Sequence, residues 1–405
     1  MDRMRSAFRS LRHRNFRLFI TGQGISLVGT WMQQLAMSWL VYRMTGSAWL
    51  LGVVSFLNML PAFLFSPIAG VLADRHDKRK MLIAAQTAAM LQAFTLAALV
   101  LGGWVQIWHI VFLGMILGFV NAFDMPIRQS FIVEMLGGKE DLNNAIALNS
   151  SIVNGARMVG PALAGLAVAA VGEGFCFLLN AVSFIAVIIA LYKMDIPRRR
   201  AAPGRGSVLP EIMAGFQYLL ATPPLAHILL LMGTVSLFGM AYQVLMPVYV
   251  EQVLKGGPET LGIVMGAAGA GALCAAVALA ARKSPGKLLP AIPVAAAAFG
   301  GTLILLSLVK SLPLAVCVIA LLGFAMMTQI AASNTMLQSI SADDMRGRVM
   351  AYYTMAFLGL APFGGLYSGS VAQWIGVRAA FAISGAACMA GALIFRLTAP
   401  RKLLE

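Results

Sequence analysis

The sequence predicts an all-α polytopic membrane protein of twelve transmembrane helices arranged as two six-helix halves, on three observations. Sixty per cent of its residues are hydrophobic and only 11% are charged, whereas soluble chains average about 25% charged. The apolar residues fall into twelve runs of 20 or more residues, each able to cross a hydrocarbon core of roughly 30 Å. Basic residues gather almost entirely on one side of those runs, as they do beside the cytoplasmic face of a bilayer.

The runs cover residues 18–42, 48–73, 81–101, 105–124, 145–171, 175–194, 225–250, 258–281, 288–309, 313–334, 349–372 and 376–396. The first has a basic flank but is too long for a signal peptide, so it reads as an uncleaved first helix. Gly/Ala-rich stretches such as Gly262–Ala281 suit close helix packing in lipid. The one long connection, from Asp195, is polar, basic and broken by Pro and Gly. It divides the chain into an N-terminal bundle at 1–194, a cytoplasmic linker at 195–212 and a C-terminal bundle at 213–405. Ser207–Ala221 reads as a short amphipathic helix along the inner surface.

A weak internal repeat supports two halves. At an offset of 210 residues, Leu27-Val28-Gly29 meets Leu237-Phe238-Gly239 and Gly52 meets Gly262. At an offset of 204, Gly160, Gly165 and Gly172 meet Gly364, Gly369 and Gly376. Matched glycines mark places where helix backbones approach closely, and two-fold repeats are common in transporters.

The formal charge of +15 is topological information. With odd-numbered connections outside, the inner side holds 25 of the 30 Lys and Arg, the outer side holds Arg43, Lys255, Lys310 and Arg378, and Arg157 lies within a run. That asymmetry places both termini in the cytoplasm. Trp39, Trp49, Trp104, Trp108 and Trp374 fall near the outer ends of spans, as an aromatic belt does. Nucleic acid is thereby excluded as a partner, and the bilayer is the expected one. Cys176, Cys274, Cys317 and Cys388 stand apart, without a CxxC pair or a His cluster. They read as small hydrophobes, with no metal, cofactor or disulfide role.

Between the second and third runs stands Gly70-Val-Leu-Ala-Asp74-Arg75-His-Asp77-Lys78-Arg-Lys80, a charge cluster that pins the segment boundary at a membrane surface. Its order resembles the loop after the second helix of the major facilitator superfamily. The resemblance implies a cytoplasmic gate formed by Gly70, Asp74, Arg75, Lys78, Asp124 and Arg128, with Asp74, Lys78 and Asp124 in one network. Asp77 departs from the pattern by placing a charge where that family has a tight-turn glycine. A narrower match, Asn121-Ala-Phe-Asp124-Met-Pro126-Ile-Arg128-Gln129 followed by Asn144–Ser150 and Gly155–Gly165, resembles the drug, siderophore and macrolide exporter branch. This is the group of enterobactin exporter-like and macrolide efflux-like proteins. Asp343-Asp344-Met-Arg346-Gly347-Arg348 fits the same group. The resemblance implies a multi-pass protein of the bacterial inner membrane, a monomer, and proton antiport.

Arg157 is the sharpest single residue. Counting about 1.5 Å per residue from Ala145 puts it some 18 Å deep, where a lipid-facing arginine costs at least about 2.5–3.5 kcal/mol. It should therefore face a cavity or a partner. Either it binds substrate or gates, or it is structural, bonded to helix carbonyls or neighbouring Asn. None of the 15 acidic residues lies near the midplane, which favours anionic or oxygen-rich ligands and leaves protons without an obvious carrier. Further cavity candidates are Trp31, Gln33, Gln34, Asn58, Asn154, Gln243, Gln329, Asn334 and Tyr353; the amides among them either touch substrate or bond between helices. Gly160, Pro161 and Gly165 resemble the glycine-proline hinge of antiporters, an ordinary packing kink being the alternative.

These readings lead to a secondary active transporter that moves small amphiphilic organic molecules outward by alternating access. A lysophospholipid flippase or nutrient importer of the same fold is the other reading. The four His are scattered and no catalytic groups converge at one depth, so an enzyme is not expected.

Overall fold

The computed structural model describes residues 9–138, 140–195, 208–280 and 288–398, excluding the side chains of 66–71, 73–75, 143, 208–212 and 280. Among the described residues there is no strand. Thirteen helices follow one another: α1 Arg14–Thr45, α2 Ala48–Arg75, α3 Lys78–Leu101, α4 Ile107–Leu136, α5 Leu142–Val171, α6 Glu173–Lys193, α7 Val208–Ala221, α8 Pro223–Gln252, α9 Pro258–Ala280, α10 Ala291–Leu308, α11 Leu312–Ile340, α12 Arg346–Ile375 and α13 Val377–Thr398. Eleven are long and apolar enough to cross a membrane. The exceptions are α7, with 14 residues, and α1, whose 32 residues suffice in length. Gln23, Gln33 and Gln34 lower its hydropathy; the first two are buried against other helices, so lipid does not meet them.

Large apolar side chains such as Leu230 (71% exposed) and Leu397 (74%) cover the outside of the spans. An aqueous surface does not carry apolar area on this scale, and lipid does. Short caps turn the chain between spans. Asp77, read from the sequence as a misplaced charge, is the N-cap of α3: its carboxylate accepts the backbone N–H of Lys80 at 3.2 Å. It satisfies an orphan donor at the positive end of the helix. Gly172 and Gly376 adopt φ of +84° and +92° where α5 passes to α6 and α12 to α13, a conformation that side chains with a Cβ resist.

The chain divides into two compact units, Met1–Met44 with Leu57–Gly204, and Thr45–Phe56 with Arg205–Glu405. The first part of α2 thus belongs to the second unit, where Gly52 rests on Gly365 of α12: a Cβ at Gly52 would lie 2.6 Å from the Gly365 carbonyl oxygen.

The first unit is held by helices that touch backbone to backbone. α1 crosses α6 at Gly29, where a Cβ would meet Asn180 Oδ1 at 2.7 Å. α2 crosses α4 at Gly114 and Gly118. α5 crosses α1 at Gly160, where a Cβ would lie 2.5 Å from Trp31 Cβ and 3.0 Å from the Val28 carbonyl oxygen. Toward one end, Phe16, Phe19, Leu82, Ile127, Phe131 and Leu191 pack into a core.

The second unit has similar crossings, two of them at the sequence offsets. Gly239 of α8 lies against Phe299 and Cys388, answering Gly29. Gly271 and Gly323 bring α9 and α11 together at Ala320 and Ala268, answering the crossing of α2 and α4. Gly364 of α12 presses on the Leu237 carbonyl of α8, as Gly160 presses on α1. Gly300 and Gly385 join α10 to α13, each facing the other's carbonyl.

Two glycines one turn apart test the crossing of α1 and α5. A Cβ at Gly155 meets nothing within 4 Å, so Gly155→Ala should hold or raise stability by up to about 1 kcal/mol through helix propensity. Gly160→Ala should cost about 1–3 kcal/mol as α5 is levered off α1. Thermal melts of the two purified variants in detergent read the difference.

Candidate functional site

Arg157 stands at the middle of α5, 15 residues after Leu142 and 14 before Val171. Its guanidinium carbon lies 4.9 Å from the centroid of the Trp31 ring on α1, a cation–π distance worth about 2 kcal/mol or more where water is scarce. The contact follows from Gly160. Without a Cβ there, α5 closes on α1 beside Trp31, and Arg157, one turn earlier on α5, reaches over the indole face. Pro161 has no N–H for the carbonyl four residues back, which is that of Arg157 itself. α5 nevertheless continues unbroken through it. Gly165, one turn on, is buried. Both Arg157 and Trp31 are half-buried, so the pair keeps one accessible side.

The other cavity candidates of the first unit divide. Asn154 is buried one turn before Arg157, and its amide donates to the Ser150 carbonyl at 2.8 Å. Gln34 is exposed. Gln33 does not line a cavity: it is 2% exposed, donating to Gln92 Oε1 at 3.2 Å and accepting from Asn180 Nδ2 at 2.8 Å. Ser183 completes this chain of amides by donating to Asn180 Oδ1 at 3.2 Å. α1, α3 and α6 are tied together because a buried amide must find partners wherever they are. Asn58 is likewise structural, its side-chain oxygen over Gly114 and its amide 3.5 Å from Met37 Sδ.

In the second unit, Tyr353 of α12 is buried and hydrogen-bonds to Asn334 of α11. The Asn334 oxygen also accepts from Gln338 at 2.6 Å. Gln329 is fully buried and donates to Ser333 Oγ at 3.4 Å, so it is a packing residue. Half-buried Gln243 donates to the neighbouring Tyr242 hydroxyl at 3.4 Å.

The predicted gate charges sort differently from the expected network. Asp124 is buried; it pairs with Arg128 one turn on and accepts from Gln86 Nε2 at 2.7 Å. Lys78 pairs instead with Glu134 at 2.9 Å, in the last turn of α4. Glu134 follows Asp124 by almost three turns of the same helix, and its carboxylate is the one at Lys78. Gly70, Asp74 and Arg75 lie in the last turns of α2, and their side chains fall outside the described residues.

Two further ion sites were not singled out from the sequence. Asp141, 2% exposed at the N-cap of α5, gathers Arg9 at 2.5 Å, Arg12 at 2.8 Å and His13 at 2.8 Å. Ser10 N–H adds a bond to Asn144 Oδ1 at 2.9 Å. The N-terminal turn is thus clasped to the start of α5. The hydrogen bond from His13, then Arg9 and Arg12, hold the Asp141 carboxyl below the usual carboxylate range against the opposing effect of burial. At the other end of the unit, Arg43 forks onto Glu173 at 2.7 and 3.2 Å. An acidic residue just before an apolar run was the available signal for both carboxylates.

Residues 5–403 match the family model described as a transmembrane secretion effector. The chain belongs to this family of the major facilitator superfamily. Among its relatives is the staphyloferrin A transporter of Staphylococcus aureus, 26% identical over 381 residues covering 93% of this chain and 94% of the other. The enterobactin exporter EntS of Shigella boydii is 26% identical over 366 residues, 87% and 85% of the two chains. The crystal structure of the nucleoside transporter NupG superposes with a TM-score of 0.72 at 12% identity, over 96% of this chain and 98% of that one, which establishes a common fold. This major facilitator protein is therefore a multi-span membrane transporter and not an enzyme, as its sequence predicts.

The clasp on Asp141 predicts a pH profile. A carboxyl held low in the folded state contributes stability that is complete above its unfolded pKa and disappears as pH falls through the folded value. The melting difference between wild type and Asp141→Asn should persist above the ordinary carboxylate range, about pH 4, and fall away as pH drops below it. A gap that widens on acidification would contradict the assignment.

Proposed function

We propose that this protein exports small amphiphilic organic molecules carrying anionic or oxygen-rich groups, such as siderophores or macrolides, by alternating access. The observation that carries the reading is Arg157: a permanent positive charge at mid-helix, sheltered by the Trp31 face. A guanidinium offers a planar fork of donors that fits carboxylate and similar oxygen pairs. The indole beside it offers an apolar face to the rest of an amphiphile. The outward direction is supported by the relatives that are exporters by name. Both termini in the cytoplasm, a monomer, and division at the basic linker into bundles 1–194 and 213–405 complete the proposal. Gly160, Pro161 and Gly165 act as the hinge.

Proton coupling has less support. The buried carboxylate Asp124 lies 12 residues before the end of α4, deeper than its place in the sequence suggests, but it is committed to Arg128 and Gln86. The gate role rests on Gly70, Asp74, Arg75, Lys78, Asp124 and Arg128. Asp74→Asn should slow transport severalfold with an unchanged melting curve, and wild-type flux in that variant would remove the gate.

Proteoliposomes loaded with staphyloferrin A, a macrolide or ethidium, with and without an imposed pH gradient, test the function. The oxygen-rich compounds should be carried in preference to the ethidium cation. Arg157→Ala should weaken their apparent affinity by about ten- to a hundredfold, as losing a charged hydrogen bond of about 1.5–3 kcal/mol requires. Ethidium transport preserved alone, with no effect of Arg157→Ala on the others, would overturn the anion preference.

A further inference from the structure

The crossing that the two units share is built differently in each. In the first unit, α1 and α5 pass Gly160 as uninterrupted α-helices. In the second, both helices at the equivalent crossing switch to π-helical geometry: α8 over Val235–Gly239 and α12 over Met355–Gly359. In α8 the Met240 N–H reaches back five residues to the Val235 carbonyl at 3.0 Å. Such single π turns cluster at places where helices do work.

The two turns are joined by one side chain. Ser236, fully buried in the π turn of α8, donates its hydroxyl to the Phe357 carbonyl in the π turn of α12 at 2.5 Å. The reason lies in the sequence. In a π turn the carbonyl of residue i takes the N–H of residue i+5, and for Phe357 that residue is Pro362, which has none. Gly364, two residues on, lets the α8 backbone close in, a Cβ there meeting the Leu237 and Ser236 carbonyl oxygens at 2.3 and 3.2 Å. The Phe357 ring in turn stacks on Tyr353 with centroids 6.1 Å apart, and Tyr353 bonds to Asn334.

We infer that Ser236 is a positioning residue: its hydroxyl holds the π turn of α12 in register and, through Phe357, sets the Tyr353 phenol against Asn334. The joint between α8 and α12 is a crossing that deforms through its own π turns, a device that the crossing of α1 and α5 does not have. A π turn carries one residue more than the α turns around it, so it can be absorbed with a small rotation of the helix beyond it. Releasing the Phe357 carbonyl from Ser236 is the local step that permits this. The inference concerns the second unit alone and does not depend on what is carried.

Amide hydrogen exchange of the full-length protein in liposomes tests it without a substrate. In the wild type, peptides covering 355–364 and 235–240 should exchange faster than those covering 155–165 and 27–33. Ser236→Ala should raise exchange at 355–364 about tenfold and leave 155–165 unchanged. Pro362→Ala restores a backbone donor for the Phe357 carbonyl, so the pair Ser236→Ala with Pro362→Ala should return 355–364 to wild-type protection. Unchanged exchange at 355–364 in Ser236→Ala overturns the inference. So does an increase of equal size in both units, or a loss that Pro362→Ala fails to rescue. If Ser236→Ala does not fold alone, wild-type protection in the double variant still supports the inference and its absence refutes it.

Discussion

Contact between bare helix backbones carries this structure. Lipid tails are as apolar as leucine, so spans in a bilayer gain little from hiding apolar side chains against one another, and close packing must supply the attraction. The chain meets that demand by leaving out side chains at the crossings: Gly29, Gly114, Gly118 and Gly160 in one unit, Gly239, Gly271, Gly323 and Gly364 in the other. Each brings a neighbouring backbone or side-chain stem to a distance that a Cβ would forbid. Everything polar inside the units is then placed by those crossings. Arg157 reaches the Trp31 face because Gly160 lets α5 down onto α1, and Ser236 reaches Phe357 because Gly364 does the same for α12 and α8.

Most polar groups obey a second constraint, pairing where water is excluded, although single atoms such as Gln23 Oε1 and Gln329 Oε1 are buried without a hydrogen-bond partner. The solutions differ with position. Near the ends of spans the carboxylates meet cations directly, as Asp141 does with Arg9 and Arg12, Glu173 with Arg43, and Glu134 with Lys78. At mid-helix, Arg157 meets an aromatic face, which attracts a cation without neutralising it. The buried amides take a third course, bonding to one another across Gln33, Gln92 and Asn180.

The spans were legible because hydrophobic length and charge placement act locally along the chain, but the polar continuations were not: the run at 105–124 extends as helix to Leu136. Part of the repeat was legible too: Gly29 and Gly239, and Gly160 and Gly364, occupy corresponding crossings, and Gly172 and Gly376 corresponding caps. Side-chain destinations were less so. Gln33 and Gln34 are adjacent and chemically identical, yet one is buried in the amide chain and the other exposed, because neighbours on a helix point about 100° apart. Asn58 resembled a cavity residue until Gly114 offered it a notch. Asp124 and Glu134 could each have received Lys78. The paired π turns left only Pro362 and Gly364 as traces, since a π turn forms where the packing partner supplies what the helix lacks.

By itself the sequence determined that the chain is a multi-span membrane protein, roughly where its long helices lie, and that an arginine falls in the middle of one of them. Hydrocarbon thickness and the cost of burying charge act on every segment separately, so those properties need no knowledge of the rest. Tertiary structure alone decided which polar groups meet. Pairings such as Arg157 with Trp31, Asp141 with the N-terminal basic residues, and Ser236 with Phe357 join residues 121 to 132 positions apart, and their geometry exists only once the backbones have closed at their glycines.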